Sequence, residues 1–542
     1  MEVSVIGSSQ EKAVRTTFAY RILGFCSSRR NDVSFSRKSR IGFDRTSTRL
    51  RKSTTSLTLK AVQPEQDRRP PSAPALSKSH PNNGIGLYVG LPLDAVSETG
   101  TINHARAISV GLKALKLLGV EGVELPVWWG VAEKEENGSY NFSGYLDLVK
   151  MVEKSGLKLH ISLFFHASKQ PKISLPEWVT QIGENDPSIY FMDRSGLLYK
   201  DCLSLAVDEL PVLGGKTPMD IYRDFYENFK SSFSEFINST ITGISIGLGP
   251  NGELRYPFDQ GRSRNSKIPG VGEFQCYDKN MLGLLKLYAE ASGNPLWGLG
   301  GPHDAPFYDQ TPDSNRFFKD HGGSWETPYG DFFLKWYSQE LVSHASRLLS
   351  LASSVFADTG VSIFGKVPMV HSWYRSRAHP SELTAGFYNT EKRDGYDSIA
   401  EVFAKNSCKV ILPGMDLLDE DFPNNTLSSP QSLLRQIRAA CSKHGIDISG
   451  QNSSSVAIPE GGFHRMKENL SIPDGCSSGL FIYERMGAYF FSPEHFHSFT
   501  AFVRSISQPQ TDMDDLPEEQ KVGANEPLLP MASDSGAHLQ AA

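Results

Sequence analysis

Glu253 is the carboxylate with the most informative surroundings. It lies in Gly247-Leu248-Gly249-Pro250-Asn251-Gly252-Glu253-Leu254-Arg255-Tyr256-Pro257, directly after the apolar run Ile241–Ile246. Such a run reads as a strand buried on both faces, as in a parallel sheet. Barrels of parallel strands carry their chemistry just beyond the C-terminal strand ends. A carboxylate held there between glycine and proline turns is a candidate catalytic acid. The bland alternative is a turn carboxylate held by backbone and by Arg255. His166, Lys366, His371 and Gln451 stand at or near the ends of other apolar runs. For the two histidines a structural role competes with ligand contact, and Lys366 fits an internal ion pair as well as a ligand.

The elements that must position these groups come from eight apolar runs. They are Gly86–Leu93, Gly122–Trp129, Leu157–His166, Ile241–Leu248, Gly365–Val370, Lys409–Met415, Asp447–Gln451 and Gly479–Glu484. Amphipathic helices are predicted between several of them, for example over Asn103–Leu118, Tyr145–Lys154, Met219–Ile237 and Asp331–Leu351. Eight strands alternating with helices predict an α/β protein with a (β/α)8 TIM barrel, one large domain with long βα loops. A doubly wound open sheet is the runner-up. The connections Tyr256–Cys276 and Trp297–Gly330 exceed ordinary loop lengths and are expected to shape a site.

Charge divides the chain. Of 542 residues, the first sixty carry thirteen Lys/Arg, four Asp/Glu and eighteen Ser/Thr, which leaves the remainder at −15 within a net charge of −6. A basic, hydroxyl-rich, acid-poor leader reads as an organelle transit peptide over residues 1–60, with a nucleic-acid- or membrane-binding tail as the alternative. Residues 61–84 contain Pro64, Pro70, Pro71, Pro74 and Pro81 and read as a linker, residues 85–506 as the barrel, and 507–542 as an acidic disordered tail. The acidic body argues against nucleic-acid binding. No apolar run approaches the length of about 18 residues that a membrane helix needs. Six dispersed cysteines without a Cys-x-x-Cys pair suit neither a disulfide framework nor a zinc site, so buried thiols are expected.

The chain also resembles the plant β-amylase family, inverting hydrolases of α-1,4-glucans. The resemblance rests on the Glu253 segment and on Tyr88-Val89-Gly90-Leu91-Pro92-Leu93, Val127-Trp128-Trp129-Gly130 and Leu203-Ser204-Leu205-Ala206-Val207-Asp208. It continues through Gly272-Glu273-Phe274-Gln275-Cys276-Tyr277-Asp278-Lys279, Gly330-Asp331-Phe332-Phe333-Leu334 and Glu382-Leu383-Thr384-Ala385-Gly386-Phe387-Tyr388-Asn389. It implies the barrel, a starch-like glucan ligand, and no metal or organic cofactor. It also implies that Glu253 holds the general-acid position and that His166, Lys366, His371, Asn452, Ser453 and Arg485 are sugar-binding positions.

Inversion needs a second carboxylate to activate water. The resemblance places that base in a Gly-Glu-Asn segment, and here the segment reads Gly450-Gln451-Asn452. An amide has no basic site at neutral pH, so losing the base is expected to slow hydrolysis by about 10²–10⁴-fold. Pro126 replaces a sugar-binding aspartate, Ser372 replaces an aromatic, and Ile411 is expected where an inner loop would carry a threonine. The lid segment, His166-Ala167-Ser168-Lys169-Gln170-Pro171-Lys172, lacks the family's glycine hinge and aspartate.

The Met1–Gly7 start and the Gly450-Gln451-Asn452 segment together resemble an inactive branch of the family. The expectation is a plastid-stroma pseudoenzyme of starch metabolism that binds or regulates another starch-degrading enzyme. One alternative is an active hydrolase releasing maltose, with Asp416, Asp419 or Glu460 recruited as base. Another is a glucan-binding module.

Overall fold

The computed structural model describes residues 85–260, 268–453, 458–472 and 479–507. The expected leader and linker lie outside them, as does the expected tail apart from Ser507, which ends the last helix.

Eight parallel strands close into a ring: β1 (Gly86–Gly90), β2 (Gly122–Trp128), β3 (Lys158–Phe164), β4 (Ile241–Ile246), β5 (Ser362–Lys366), β6 (Lys409–Leu412), β7 (Ile448–Gln451) and β8 (Leu480–Tyr483). β1 pairs with β2 and, in register Gly86↔Leu480 through Val89↔Tyr483, with β8. This is the expected (β/α)8 barrel. The open doubly wound sheet is excluded, because the ring leaves no edge strand.

The outer helices are α1 (Ala105–Leu118), α2 (Ser143–Lys154), α3 (Pro218–Ser232), α4 (Pro328–Val355), α5 (Asp397–Lys405), α6 (Pro430–Lys443), α7 (Gly462–Leu470) and α8 (Pro493–Ser507). Their starts follow from capping chemistry. Thr217 and Asp220 form a reciprocal capping box on α3 with Pro218 in the first turn. Thr327 accepts from the Gly330 amide at the start of α4. α1 buries Ile108, Gly111, Leu112 and Leu115, the i, i+3, i+4, i+7 stripe of a helix laid on a sheet. The tyrosine, phenylalanine and tryptophan side chains of α3 and α4 fill much of the core between helices and barrel.

The largest departures from the sequence expectation are at the fifth strand and at the end of α3. The fifth strand is Ser362–Lys366, not Gly365–Val370. Val367 still donates to the Ile411 carbonyl, but Pro368 has no amide to continue the ladder. The apolar run beyond it is buried loop, which periodicity reads as strand. α3 ends at Ser232, and Phe233–Ile241 turns back into β4 through short-range backbone bonds.

The inside of the ring is partly apolar and partly polar. Tyr88 of β1 reaches across it to hydrogen-bond Thr242 of β4 at 3.0 Å. It packs in a small cluster with Phe364, Ile411, Leu480 and Ile482. Buried Glu124, His160, Ser162, Ser245, Ser449 and Gln451 share the barrel strands with them. Cys202, Cys276, Cys408 and Cys441 are buried free thiols, while Cys26 and Cys476 lie outside the described residues.

Candidate active site

Glu253 lies seven residues past β4 on a tight excursion at the C-terminal mouth of the barrel. Gly249 (φ 151°), Asn251 (φ 57°) and Gly252 (φ 75°) carry the turn. A Cβ on Gly249 would meet the Glu253 and Arg255 carbonyl oxygens at 2.9 and 3.0 Å, so glycine is required there. The excursion returns to the barrel where Glu253 bridges Lys366 and Leu254 donates to the Lys366 carbonyl at 2.9 Å. Glu253 and Lys366 are therefore neighbours at one strand end. Arg255 donates through Nε to Glu253 Oε2 at 2.9 Å and stands 3.6 Å from Asp259. Burial opposes its charge, but Asp259 and Glu253 hold its pKa above the usual guanidinium value.

Beginning at Lys366, β5, β7 and β8 bring together a charged chain that the sequence did not reveal. Gln451 ends β7 and is 3% exposed, with its Oε1 free of any hydrogen-bond partner among the described residues. Its side chain hydrogen-bonds the Glu484 carboxylate, so the amide nitrogen is the donor. Glu484 Oε1 lies 3.8 Å from Lys366 Nζ and accepts from Arg485 Nη2 at 3.2 Å. Burial alone would push this carboxyl up; Lys366, Arg485 and Gln451 together hold it below the usual glutamate value. Arg485 in turn reaches Glu124 at 3.1 Å and the Leu91 carbonyl at 2.6 Å. Asn452 clamps the Glu484 backbone, accepting from its amide at 2.6 Å and donating to its carbonyl at 3.0 Å.

Of the remaining site positions, His371, Ser372 and Ser453 share the cavity that Glu253 lines, whereas His166, Asn452 and Arg485 do not line it. His166 is buried beside Trp128 and Phe164, with ring centroids 5.2 and 5.0 Å away, and its Nδ1 has no hydrogen-bond partner among the described residues. Burial, assisted by Lys366 and Arg255, lowers its pKa to about 3, so the ring is neutral. His371 shares a 2.6 Å hydrogen bond with Ser428, packs on Phe422, and is lowered to about 4 by burial against the opposing pull of Asp419. Trp128 donates to the Leu93 carbonyl at 2.7 Å and belongs to the core. Pro126 is buried in β2, two residues from Glu124 and thus on the same strand face. Glu253, Arg255, Tyr308, His371, Ser372 and Ser453 line one cavity of about 320 Å³, at the low end of ligand-pocket sizes. The long loops shape it as expected, since Gly270, Gly272 and Tyr308 form part of its wall.

The lid segment is a two-rung hairpin, Ser168–Lys169 against Lys172–Ile173. The Ala167 amide donates to the Asp201 carbonyl at 2.6 Å, Lys169 pairs with the Asp201 carboxylate at 3.2 Å, and Ile173 is buried.

One sequence expectation is corrected. Ile411 does not lie on an inner loop; it is a barrel-strand residue whose side chain belongs to the interior cluster. Pro413, lacking an amide, starts the loop, and the residue the loop brings to β7 is Met415, whose amide donates to the Gln451 carbonyl at 3.0 Å. The alternative bases are placed unequally. Asp416 is fully buried beneath Ser453, accepting from its amide and its hydroxyl at 2.6 Å each. Asp419 accepts from Ser429 at 2.7 Å and from the Gln431 amide at 3.1 Å. Glu460 is exposed and lines no part of the cavity. Glu484 is the carboxylate that touches Gln451, and sequence reasoning missed it. The only signal was a charged residue directly before Arg485 at the end of an apolar run. No cluster of three or more potential metal ligands occurs among the described residues.

Comparison with known proteins places this geometry. Residues 88–510 match the family described as glycosyl hydrolase family 14. The chain is 54% identical over 527 residues to inactive beta-amylase 9 of Arabidopsis thaliana, covering 97% of each chain. It is 39% identical over 438 residues to the chloroplastic beta-amylase 2 of Oryza sativa subsp. japonica, covering 78% of this chain and 77% of that one. Among solved structures, the catalytic domain of a beta-amylase from Paenibacillus polymyxa superposes with a TM-score of 0.65 at 22% identity, over 79% of this chain and 99% of that domain, which speaks to the fold.

Proposed function

This chain belongs to glycosyl hydrolase family 14, and from that membership we propose that it is a plastid protein of α-1,4-glucan metabolism that does not hydrolyse glucan. It acts instead as a binding or regulatory partner of another starch-degrading enzyme. The observation that carries this reading is Gln451. Inverting hydrolysis needs a carboxylate that takes a proton from water on the far side of the sugar. The group at the end of β7 is a buried amide whose nitrogen is already committed to Glu484. An amide oxygen orients water but does not take its proton. Glu484 is a poor replacement base, because Lys366 and Arg485 stabilise its charged form and so reduce its basicity.

Two further observations support the reading. The relative with 54% identity is itself named inactive. The lid hairpin is fastened to Asp201, and water exclusion by lid closure is part of how enzymes commit a substrate. A plastid location is supported by relatives named chloroplastic and by the basic, acid-poor leader. The cavity beside Glu253, His371 and Ser453 favours retained glucan contact as a second reading.

The experiment is maltose release from soluble starch by the purified chain and by its Glu253→Gln variant. Equal, background-level rates are expected. A clear drop on substitution shows that Glu253 works as an acid and overturns the proposal.

A further inference from the structure

Glu484 has no part in the proposed role, yet it touches three of the residues on which that role turns. One oxygen lies 3.8 Å from Lys366 Nζ and 3.2 Å from Arg485 Nη2, and the carboxylate also takes the Gln451 amide. The two cations of this face are thereby matched by two carboxylates, Glu484 and Glu124. The arrangement is rigid. Asn452 holds the Glu484 backbone on both its amide and its carbonyl, and Arg485 is fixed by Leu91 and Glu124. A Cβ on Gly90 would already meet Arg485 and Glu124 at 3.1 Å, so the cluster fills its space.

We propose that Glu484 is an internal competitor for glucan: an anionic side chain that occupies the ammonium and guanidinium groups which a sugar would otherwise engage, and so sets the affinity of the mouth low. The inference rests on the family reading of Lys366 and Arg485 as sugar-binding positions. Its chemistry is elementary. A sugar hydroxyl is neutral, whereas Glu484 and Lys366 form an ion pair at 3.8 Å whose opposite charges attract directly. A hydroxyl therefore does not displace Glu484 from Lys366. Breaking the pair also leaves a desolvated carboxylate behind, which low-dielectric surroundings penalise further. Glucan affinity at this mouth is limited by an occupied site as much as by missing contacts.

The test is calorimetric titration of the full chain with maltoheptaose. Glu484→Gln keeps the shape and an acceptor for Gln451 while removing the charge. It is expected to bind about tenfold tighter, the worth of one regained hydrogen bond. Lys366→Met in the Glu484→Gln background is expected to abolish the gain. A Glu484→Gln protein that folds and binds no tighter overturns the proposal, as does absence of binding by both proteins. If Glu484→Gln fails to fold, Glu484→Met is titrated in its place: tighter binding is expected, and unchanged binding overturns the proposal. Maltose is assayed in the same samples. Its appearance with the parent chain sinks the non-hydrolysing function without touching the affinity result. Unchanged affinities without maltose sink the competitor and leave the function standing.

Discussion

Placing a carboxylate at the proposed base position by Gln451→Glu is the substitution that the proposed function invites, and the structure predicts that it fails for a specific reason. Gln451 donates its amide hydrogen to Glu484. A glutamate there removes the donor and sets a second carboxylate against that of Glu484. At an effective dielectric of about 20, two unit charges roughly 4 Å apart repel by about 4 kcal/mol. That corresponds to about three powers of ten in proton affinity. Arg485 at 3.2 Å and Lys366 at 3.8 Å from Glu484 offset part of this but already serve that carboxylate. The pair therefore retains one proton between its members, and the repaired position is substantially a carboxylic acid at neutral pH. The expected result is background maltose release from soluble starch by Gln451→Glu. Adding Glu484→Gln isolates the new carboxylate and raises release by about tenfold. The double variant still falls far below a working family member, because Pro126 and the fastened lid leave positioning losses of about 10²-fold each. Folding supplies a second readout. The new carboxyl has its proton affinity raised on folding, so its penalty is absent below the ordinary glutamate value of about 4.3 and grows as pH rises above it. The melting gap between Gln451→Glu and parent should close as pH falls from 7 towards 4. Near-normal activity from the single change, with no pH-dependent gap, refutes the reasoning.

Burial of histidines gives an independent expectation. His160 and His166 are lowered to about 3 and His371 to about 4, chiefly by desolvation. Between the ordinary histidine value of about 6.5 and these values, the unfolded chain takes protons that the folded chain refuses, so stability falls with decreasing pH by up to about 1.4 kcal/mol per pH unit for each ring. Urea midpoints should drop steadily from pH 6.5 to 4.5, less steeply in His371→Asn, and an unchanged slope contradicts the burial argument for His371. The leader makes a cellular prediction: a fluorescent protein fused behind residues 1–80 should accumulate in plastids, and a cytosolic or nuclear signal favours the basic-tail alternative.

The barrel was legible because strands buried on both faces write themselves as apolar runs, and eight such runs with helices between them leave few topologies. Legibility ended where apolar residues serve loops. Val367 and Val370 are buried beyond β5 and drew the expected strand toward the C-terminus, and Ile411 was placed on a loop that begins two residues later at Pro413. Glu253 could be found from sequence because its turn is local, dictated by Gly249 and Gly252. Glu484 could not. Its meaning depends on Lys366 and Gln451, which are distant in the chain and become neighbours only when β5, β7 and β8 take their places in the ring. An internal ion pair and a sugar contact were equally open for Lys366 until the closed ring supplied a carboxylate.

The fastened hairpin at Ser168–Ile173 has a kinetic meaning apart from catalysis. An enzyme whose lid folds over its substrate traps it for the lifetime of the closed state. On the proposed reading, a hairpin held to Asp201 adds no closing step, and residence would be set by contacts alone. Were glucan bound with an association rate of about 10⁶ M⁻¹s⁻¹ and millimolar affinity, a chain end would leave within about a millisecond. Occupancy would then follow the surrounding concentration of free chain ends almost without delay. On the proposed reading the domain would gauge how much glucan is within reach, and a partner would receive that value continuously rather than as a record of past turnover.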